Sequence, residues 1–283
     1  MDVDSHLGRG GCGIVSRGIH RPTNTLLAIK AVQVNDKSKR AQLMNDIQAL
    51  IRVQNCQHLV QLYAAYFHKQ SGRVHVALEL MDMGSLHDLM RVNHHLRFPE
   101  VIVSSMAFQV IQGLEFLHAH KQLHRDIKPG NILLNSKGVV KLSDFGISKT
   151  LDNTANLCDT FVGTATYMSP ERAVGQDYSF SADIWSLGIV IYEMATGQFP
   201  FPSMASFPAL FDHLCNRPEP RLNPIEYSPE LCDIVALCLQ RDPLRRSSAQ
   251  SLLSHAFFAV KAPSEVHLAE WLRSQYGPLN NSL

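Results

Sequence analysis

The chain of 283 residues contains no glutamate before Glu79, so its opening stretch carries side-chain carboxylates only as aspartate. It also lacks any excess of charge. Twenty-six Lys and Arg against 25 Asp and Glu leave a net +1, which gives no reason to expect nucleic acid or an anionic membrane surface as partner. Six cysteines (Cys12, Cys56, Cys158, Cys215, Cys232 and Cys238) are scattered without the paired spacing of a zinc site or redox motif. Reduced thiols in a cytosolic or nuclear setting are therefore expected. No apolar run approaches the ~18 residues of a membrane span. The opening "MDVDSHLG" has neither a basic-then-apolar signal nor a glycine at position 2 for myristoylation. These absences lead to the expectation of a soluble protein of the cytoplasm or nucleus.

What is present is enough to build a core: 45% of residues are hydrophobic and 18% charged. The length suits one large domain or two lobes sharing a cleft. "IVSRGI" and "TLLAIKAVQV" read as strands around a turn at Arg21–Asn24, followed by helical spacing in "KRAQLMNDIQALIRV". "LVQLYAAYF" and "VHVALEL" read as two further strands. After Gly84 the pattern turns helical. "PEVIVSSMAFQVIQGLEFLHAH" puts Pro99 in the first turn and Ile102, Met106, Val110, Leu114 and Leu117 on one face. "SADIWSLGIVIYEMAT" is apolar nearly all round, as a buried helix is, with Gly197 just beyond its end. Shorter helices are expected over Ala205–Cys215, Pro229–Leu239 and Ser247–Ser254. The architecture predicted is α+β: a β-rich lobe, a helical lobe and a cleft between them.

"GRGGCGIV" sets Gly8, Gly10, Gly13 and Val15 in a G-x-G-x-x-G-x-V pattern, whose glycines let backbone N–H groups approach phosphate oxygens. Alone the pattern is weak, and a plain glycine-rich hairpin also fits it. No helix follows at once, which disfavours the dinucleotide-binding version. "LLAIK" ends on Lys30, which in isolation is an ordinary strand-end lysine. In "LHRDIKPGNILLN", Asp126 and Lys128 can reach a hydroxyl and a phosphate, and Asn131 offers an amide oxygen to a metal. "VVKLSDFGISK" then presents Asp144 in a strand–turn context suited to Mg2+. "YMSPER" and "DIWSLG" follow. The order of the set carries more weight than any member.

From about Gly8 to Phe258 the chain resembles a eukaryotic protein kinase domain. "KLSDFGISKTL", "DTFVGTATYMSPER", "EMATGQFPF" and "CLQRDPLRRSSAQSLLSHAFF" are similar to the MAP kinase kinases, particularly the plant-like ones. The resemblance implies a bilobal kinase fold, with the N-lobe over residues 1–83, the C-lobe over 84–259 and a tail over 260–283. It implies ATP and Mg2+ as cofactors and no nucleic acid or membrane partner. Gly8, Gly10 and Gly13 would cover the phosphates; Val15, Ala28 and Leu133 would pack on the adenine. Leu78 would be the gatekeeper, with backbone groups of Glu79 and Met81 meeting the base. Lys30 would hold the α- and β-phosphates, Asp126 the acceptor hydroxyl, Lys128 the moving phosphoryl charge, and Asn131 and Asp144 the metal. Glu171 would pair with Arg246 structurally. The function implied is dual-specificity phosphorylation of Thr and Tyr in a MAP kinase by a monomeric enzyme. The alternatives are a Ser/Thr kinase of another tier of the cascade and a non-catalytic pseudokinase scaffold.

Two departures accompany the resemblance. The family's N-lobe helix glutamate, partner of the β3 lysine, aligns with Asp46, which is shorter by about 1.3 Å. Either the helix sits closer and Asp46 still pairs with Lys30, or the pair is long or water-bridged and the active arrangement less populated. The chain also opens seven residues before Gly8, with the expectation of a short first strand and no N-terminal docking segment: either it is a catalytic-domain fragment or substrate choice rests on the C-lobe. At the other end "PSEVHLAEWLRSQYG" is similar to a C-terminal helix that docks the upstream kinase, and a helix capping the C-lobe fits equally. Of the fourteen histidines, His94-His95 and His118/His120 have no cysteine or carboxylate at ligand spacing and read as solvated or core residues.

"LDNTANLCDTFVGT" lies between Asp144-Phe145-Gly146 and Ser169-Pro170-Glu171, the position of the activation segment. By resemblance Thr164 braces Asp126 and Lys128. Thr160 matches the second phosphosite, and the plant-type spacing puts the first on Thr154, with Thr150 and Thr166 as bystanders. Each phosphate would add roughly −1.5 to −2 charge.

Overall fold

The computed structural model describes residues 2–10, 13–34, 37–92, 96–145, 165–201 and 207–276; for 2–10, 13, 37–40, 42, 46, 49, 165 and 207 the backbone alone is described. β1 (Asp2–Gly10), β2 (Gly13–His20), β3 (Thr25–Gln33), β4 (Leu62–His68) and β5 (Arg73–Glu79) build the N-terminal sheet, with β-branched or aromatic residues in β2 to β5 that suit a pleated surface. The strands lie in the order β1-β2-β3-β5-β4, every neighbouring pair antiparallel. Leu27 and Ile29 of β3 close with Ala77 of β5 into a small apolar cluster of their own. Helix α1 (Lys37–Arg52) joins β3 to β4 and buries Leu43, Ile47 and Leu50, spaced as one helical face, in the main core.

The rest of the chain is mainly helical: α2 (Leu86–Val92), α3 (Glu100–Ala119), the small hairpin β6 (Ile132–Leu134) and β7 (Val140–Leu142), α4 (Pro170–Ala173) and α5 (Phe180–Thr196). α6 (Phe207–Cys215), α7 (Pro229–Cys238), α8 (Ala249–Leu253), α9 (Ala256–Val260) and α10 (Glu265–Tyr276) complete it. α5 is the pillar, with Trp185, Leu187, Ile189, Val190 and Ile191 all essentially inaccessible. α3 packs beside it and is long and apolar enough, by length and composition, to cross a membrane, although polar residues interrupt its apolar run. In the fold 67% of that stretch is buried, as the core helix of a lobe should be.

The structure differs from the sequence expectations in four places. β1 is not short: it runs nine residues, because the backbone keeps pairing through Gly8 and Gly10. Pro99 sits at the N-cap of α3, one residue outside the helix. The strand expected to begin at Leu59 begins at Leu62, since Leu59 and Val60 are drawn away to β7. Leu59 bridges Leu142 in parallel, Val60 N–H donates to Leu142 O at 3.0 Å, and Leu142 N–H donates to His58 O at 2.9 Å. Finally, α2, α4 and α9 were not anticipated; at seven, four and five residues they are too short to display a helical period.

Candidate active site

The glycine positions lie where β1 turns into β2, with Gly8 opposite Val15 and Gly10 opposite Gly13. The antiparallel register then sets Val15 against Lys30, and Ala28 against Leu78. Leu133 lies on β6, which reaches the segment after β5 through the Ser85–Leu133 bridge. That segment is locked by Met83 N–H to Leu134 O at 3.1 Å and Leu134 N–H to Gly84 O at 2.9 Å. Met81 is buried and its carbonyl accepts from Gly84 N–H at 3.2 Å. Glu79 N–H is taken by Gln61 O at 2.9 Å.

Below this cleft, three side chains from one loop converge. Lys128 Nζ lies 2.9 Å from Asp126 Oδ2, and Asn131 Nδ2 donates to the same oxygen at 2.9 Å and to Asp126 O at 2.7 Å. The Asn131 amide thus turns its nitrogen to Asp126 and leaves its oxygen for another partner. Asn131 O accepts from Ser143 N–H at 2.9 Å, which holds the loop beside Asp144. Lys30, 4% exposed, reaches Asp144 Oδ1 at 2.6 Å. A cavity behind this pair is walled by Leu43 and Ile47 of α1, by Leu78 and by the Phe145 ring.

Two backbone positions hold the arrangement under strain. Arg125 has φ +70° and Asp144 φ +60°, in the left-handed region that L side chains rarely adopt. The first is fixed from beneath by Asp183 of α5. Its carboxylate accepts from His124 N–H and Arg125 N–H, both at 2.9 Å, and sits 3.0 Å from His118 Nε2. Burial pushes the His124 imidazole below its ordinary value despite the attraction of Asp183 and Asp126, so the ring stays neutral and serves as packing against Phe145. The sequence reading missed Asp183. Its signal was a carboxylate in the first turn of a helix that carries only one other, Glu193, and is otherwise apolar, since a fold tolerates a buried carboxylate only with donors to meet it.

Glu171 of α4 and Arg246 form a buried two-pronged ion pair at 2.8 and 3.0 Å. Asp46 lies on α1, but its side chain is outside the described set, as are Thr150, Thr154, Thr160 and Thr164. Tyr167, shortly after them, is anchored: its O–H donates to Glu193 Oε2 at 2.6 Å, and its carbonyl accepts from Ser186 Oγ at 2.7 Å.

The donor set fits a nucleotide with a hard divalent cation. A buried ammonium, a carboxylate and an amide oxygen meet at one mouth, which suits phosphate oxygens and an oxygen-seeking metal. A protein kinase domain model matches residues 1–258. The chain belongs to the protein kinase family. Membership carries the family's chemistry, ATP-dependent phosphorylation of protein. Within the family the chain is similar to plant mitogen-activated protein kinase kinases. It is 40% identical to mitogen-activated protein kinase kinase 3 of Arabidopsis thaliana over 279 residues, covering 98% of this chain and 53% of that protein. It is 37% identical to mitogen-activated protein kinase kinase 2 of the same plant, covering 99% and 78%. It is 38% identical to mitogen-activated protein kinase kinase 1c of Physcomitrium patens, covering 96% and 80%. This kinase domain therefore spans about half of the first relative and about four-fifths of the other two.

Proposed function

We propose that the chain is the catalytic domain of a MAP kinase kinase, acting in the cytoplasm or nucleus. It transfers the γ-phosphoryl group of ATP to Thr and Tyr of a T-x-Y loop in a MAP kinase. It is itself switched on when an upstream MAP kinase kinase kinase phosphorylates Thr154 and Thr160. The observation that carries the reading is the joining of Asp126, Lys128 and Asn131 around one carboxylate oxygen, beside Lys30 and Asp144. A pseudokinase has no use for that arrangement.

In this reading the chain's residues act by positioning and charge, with no covalent enzyme intermediate. Lys30 exchanges its bond to Asp144 for the α- and β-phosphates. Asp126, held by Lys128 and Asn131, orients the acceptor hydroxyl, and Lys128 offsets charge on the moving phosphoryl group. Asn131 Oδ1 and Asp144 would hold Mg2+, which when bound neutralises the phosphate oxygens. The glycine positions bring backbone N–H groups over the phosphates, and Ala28, Val15, Leu78 and Leu133 sandwich the base.

The deciding experiment gives the protein, after treatment with an upstream kinase, a kinase-dead MAP kinase as substrate. Phosphate on both Thr and Tyr of T-x-Y is expected. It should disappear in Asp144→Asn, and activation should fail in the double variant Thr154→Ala, Thr160→Ala. Phosphate on Ser or Thr alone rejects dual specificity in favour of another tier of the cascade. Turnover retained in Asp144→Asn rejects the metal assignment, and full activation of the double variant rejects the two phosphosites.

A further inference from the structure

Helix α10 begins where three other parts of the chain meet. Ser264 N–H, just ahead of it, donates to Ser105 Oγ of α3 at 3.0 Å. Its first residue, Glu265, accepts from Gln57 Nε2 at 3.3 Å, and its backbone leaves no room for a side chain on Gly138 of the β6–β7 turn. Gln57 belongs to the segment 53–60, which runs straight on from α1. Val53 N–H still donates to Leu50 O at 3.3 Å, and Val53, Cys56 and Leu59 share a core with Leu43, Ile47 and Leu50. The tail helix therefore touches the stretch of chain on which α1 is mounted.

Next to Gln57, buried His58 clamps the same segment to β7. Its Nδ1–H donates to Val140 O at 3.1 Å, its carbonyl accepts from Leu142 N–H at 2.9 Å, and Val60 N–H returns to Leu142 O at 3.0 Å. Burial holds the imidazole below its ordinary value against the pull of the Glu265 carboxylate, so the ring is a neutral donor. α3 closes from the other side. A Cβ on Gly113 would stand 2.9 Å from His58 O, and Gln109 Oε1 accepts from Val140 N–H at 2.8 Å. β7 ends two residues before Asp144, whose bond to Lys30 fronts the cavity that α1 walls. A shift of the segment 53–60 thus moves α1 relative to the strand that delivers Asp144.

We propose that α10 is a positioning element for phosphoryl transfer. Through Glu265 it steadies Gln57 and His58, and the braced segment keeps α1 and β7 at the spacing in which Lys30 meets Asp144. Loosening the first turn of α10 slackens that brace and lowers turnover without touching the cleft. The inference rests on protein kinase activity alone, whichever protein is phosphorylated.

The test is a double-mutant cycle on the whole chain: Gln57→Ala, Glu265→Ala and both together. It is read by steady-state kinetics with Mg-ATP and by amide hydrogen exchange across Lys37–Arg52. Both side chains are exposed, so the melting temperature should hold. Each single variant should lose on the order of 3-fold in kcat, within what one hydrogen bond can supply, with faster exchange in α1. The double variant should be no worse than either. Glu270→Ala, on the exposed face of the same helix, should match the unaltered chain. His58→Asn, which can still donate to Val140 O, should keep more activity than His58→Leu. Additive losses, an equal loss in Glu270→Ala, or no change in both readouts overturns the proposal. If the unaltered chain leaves T-x-Y unmodified, the substrate assignment falls; the cycle is then read on ATP hydrolysis and α1 exchange, which need no protein substrate.

Discussion

Arg246 has every guanidinium nitrogen engaged. Nη1 and Nη2 hold Glu171, Nη1 also donates to Ser181 O at 2.6 Å, and Nε and Nη2 donate to Gln240 O at 3.0 and 2.9 Å. Both partners are nearly inaccessible, so removing one strands a charge in the interior. Arg246→Met is expected to cost about 3–5 kcal/mol, a fall of roughly 10 °C in melting temperature for a chain of this size. Arg246→Lys should fall between, since an ammonium cannot reproduce the fork. The pair also predicts a pH dependence. Burial pushes the Glu171 carboxyl up, but the hydrogen bonds and charge of Arg246 outweigh it and hold the group below its ordinary value of 4.5. With the folded value depressed, the unfolded chain binds more protons. The stabilisation is therefore whole above pH 4.5 and is lost as pH falls through the folded value. Denaturant titrations from neutral pH down past 4.5 should show a steeper acid loss for the unaltered protein than for Arg246→Met; parallel profiles would sink the attribution.

Between elements, a second ion pair ties the end of β5 to β7. Lys141 Nζ lies 2.7 Å from Glu79 Oε2, which also accepts from Gln61 N–H at 3.3 Å. It therefore spans from the N-terminal sheet to the helical lobe, beside the Leu59–Leu142 bridge. Lys141→Met leaves a half-buried carboxylate short of its donor, an expected loss of about 1–3 kcal/mol. The exchanged pair Glu79→Lys, Lys141→Glu should recover part of it, as thermal melts of the two variants beside the unaltered chain would show; no recovery would mean that the two positions act separately. This strut marks where sequence reading stops. β2, β3, β5, α1, α3 and α5 declare themselves because alternation and helical period are local properties of the chain. Asp126, Lys128, Asn131 and Asp144 declare themselves because their spacing is dense within two short runs. Lys141 and Asp183 carry no such mark. Their partners stand 62 and 58 or 59 residues away, and each contact exists only once elements distant in the chain have packed.

At the scale of the molecule, the question left by the tail is whether α10 is part of the fold or held out for a partner. Its apolar face is spent: Leu268, Ala269 and Leu272 are buried, Trp271 packs on Phe98 at 4.9 Å, and Tyr276 O–H donates to Leu89 O at 3.0 Å. A partner reading this helix would have to use Val266, His267, Glu270 and Arg273, which remain exposed. The helix seats on the β6–β7 turn at Gly138, whose carbonyl is held by Gln109 of α3 at 3.0 Å. A Cβ on Gly138 would fall on the Glu265 carbonyl oxygen and within 2.9 Å of Ala269 N. Gly175 offers a matched control, because it has the same φ of +81° with nothing within 4 Å of its Cβ. Each alanine carries the left-handed cost of roughly 1–2 kcal/mol, but only Gly138→Ala must also lift α10 from its seat. Hydrogen exchange should then show faster amides across Glu265–Tyr276 in Gly138→Ala and unchanged ones in Gly175→Ala, with the β-sheet protected in both. Equal protection of α10 in the two variants would mean that the helix is not anchored through this turn.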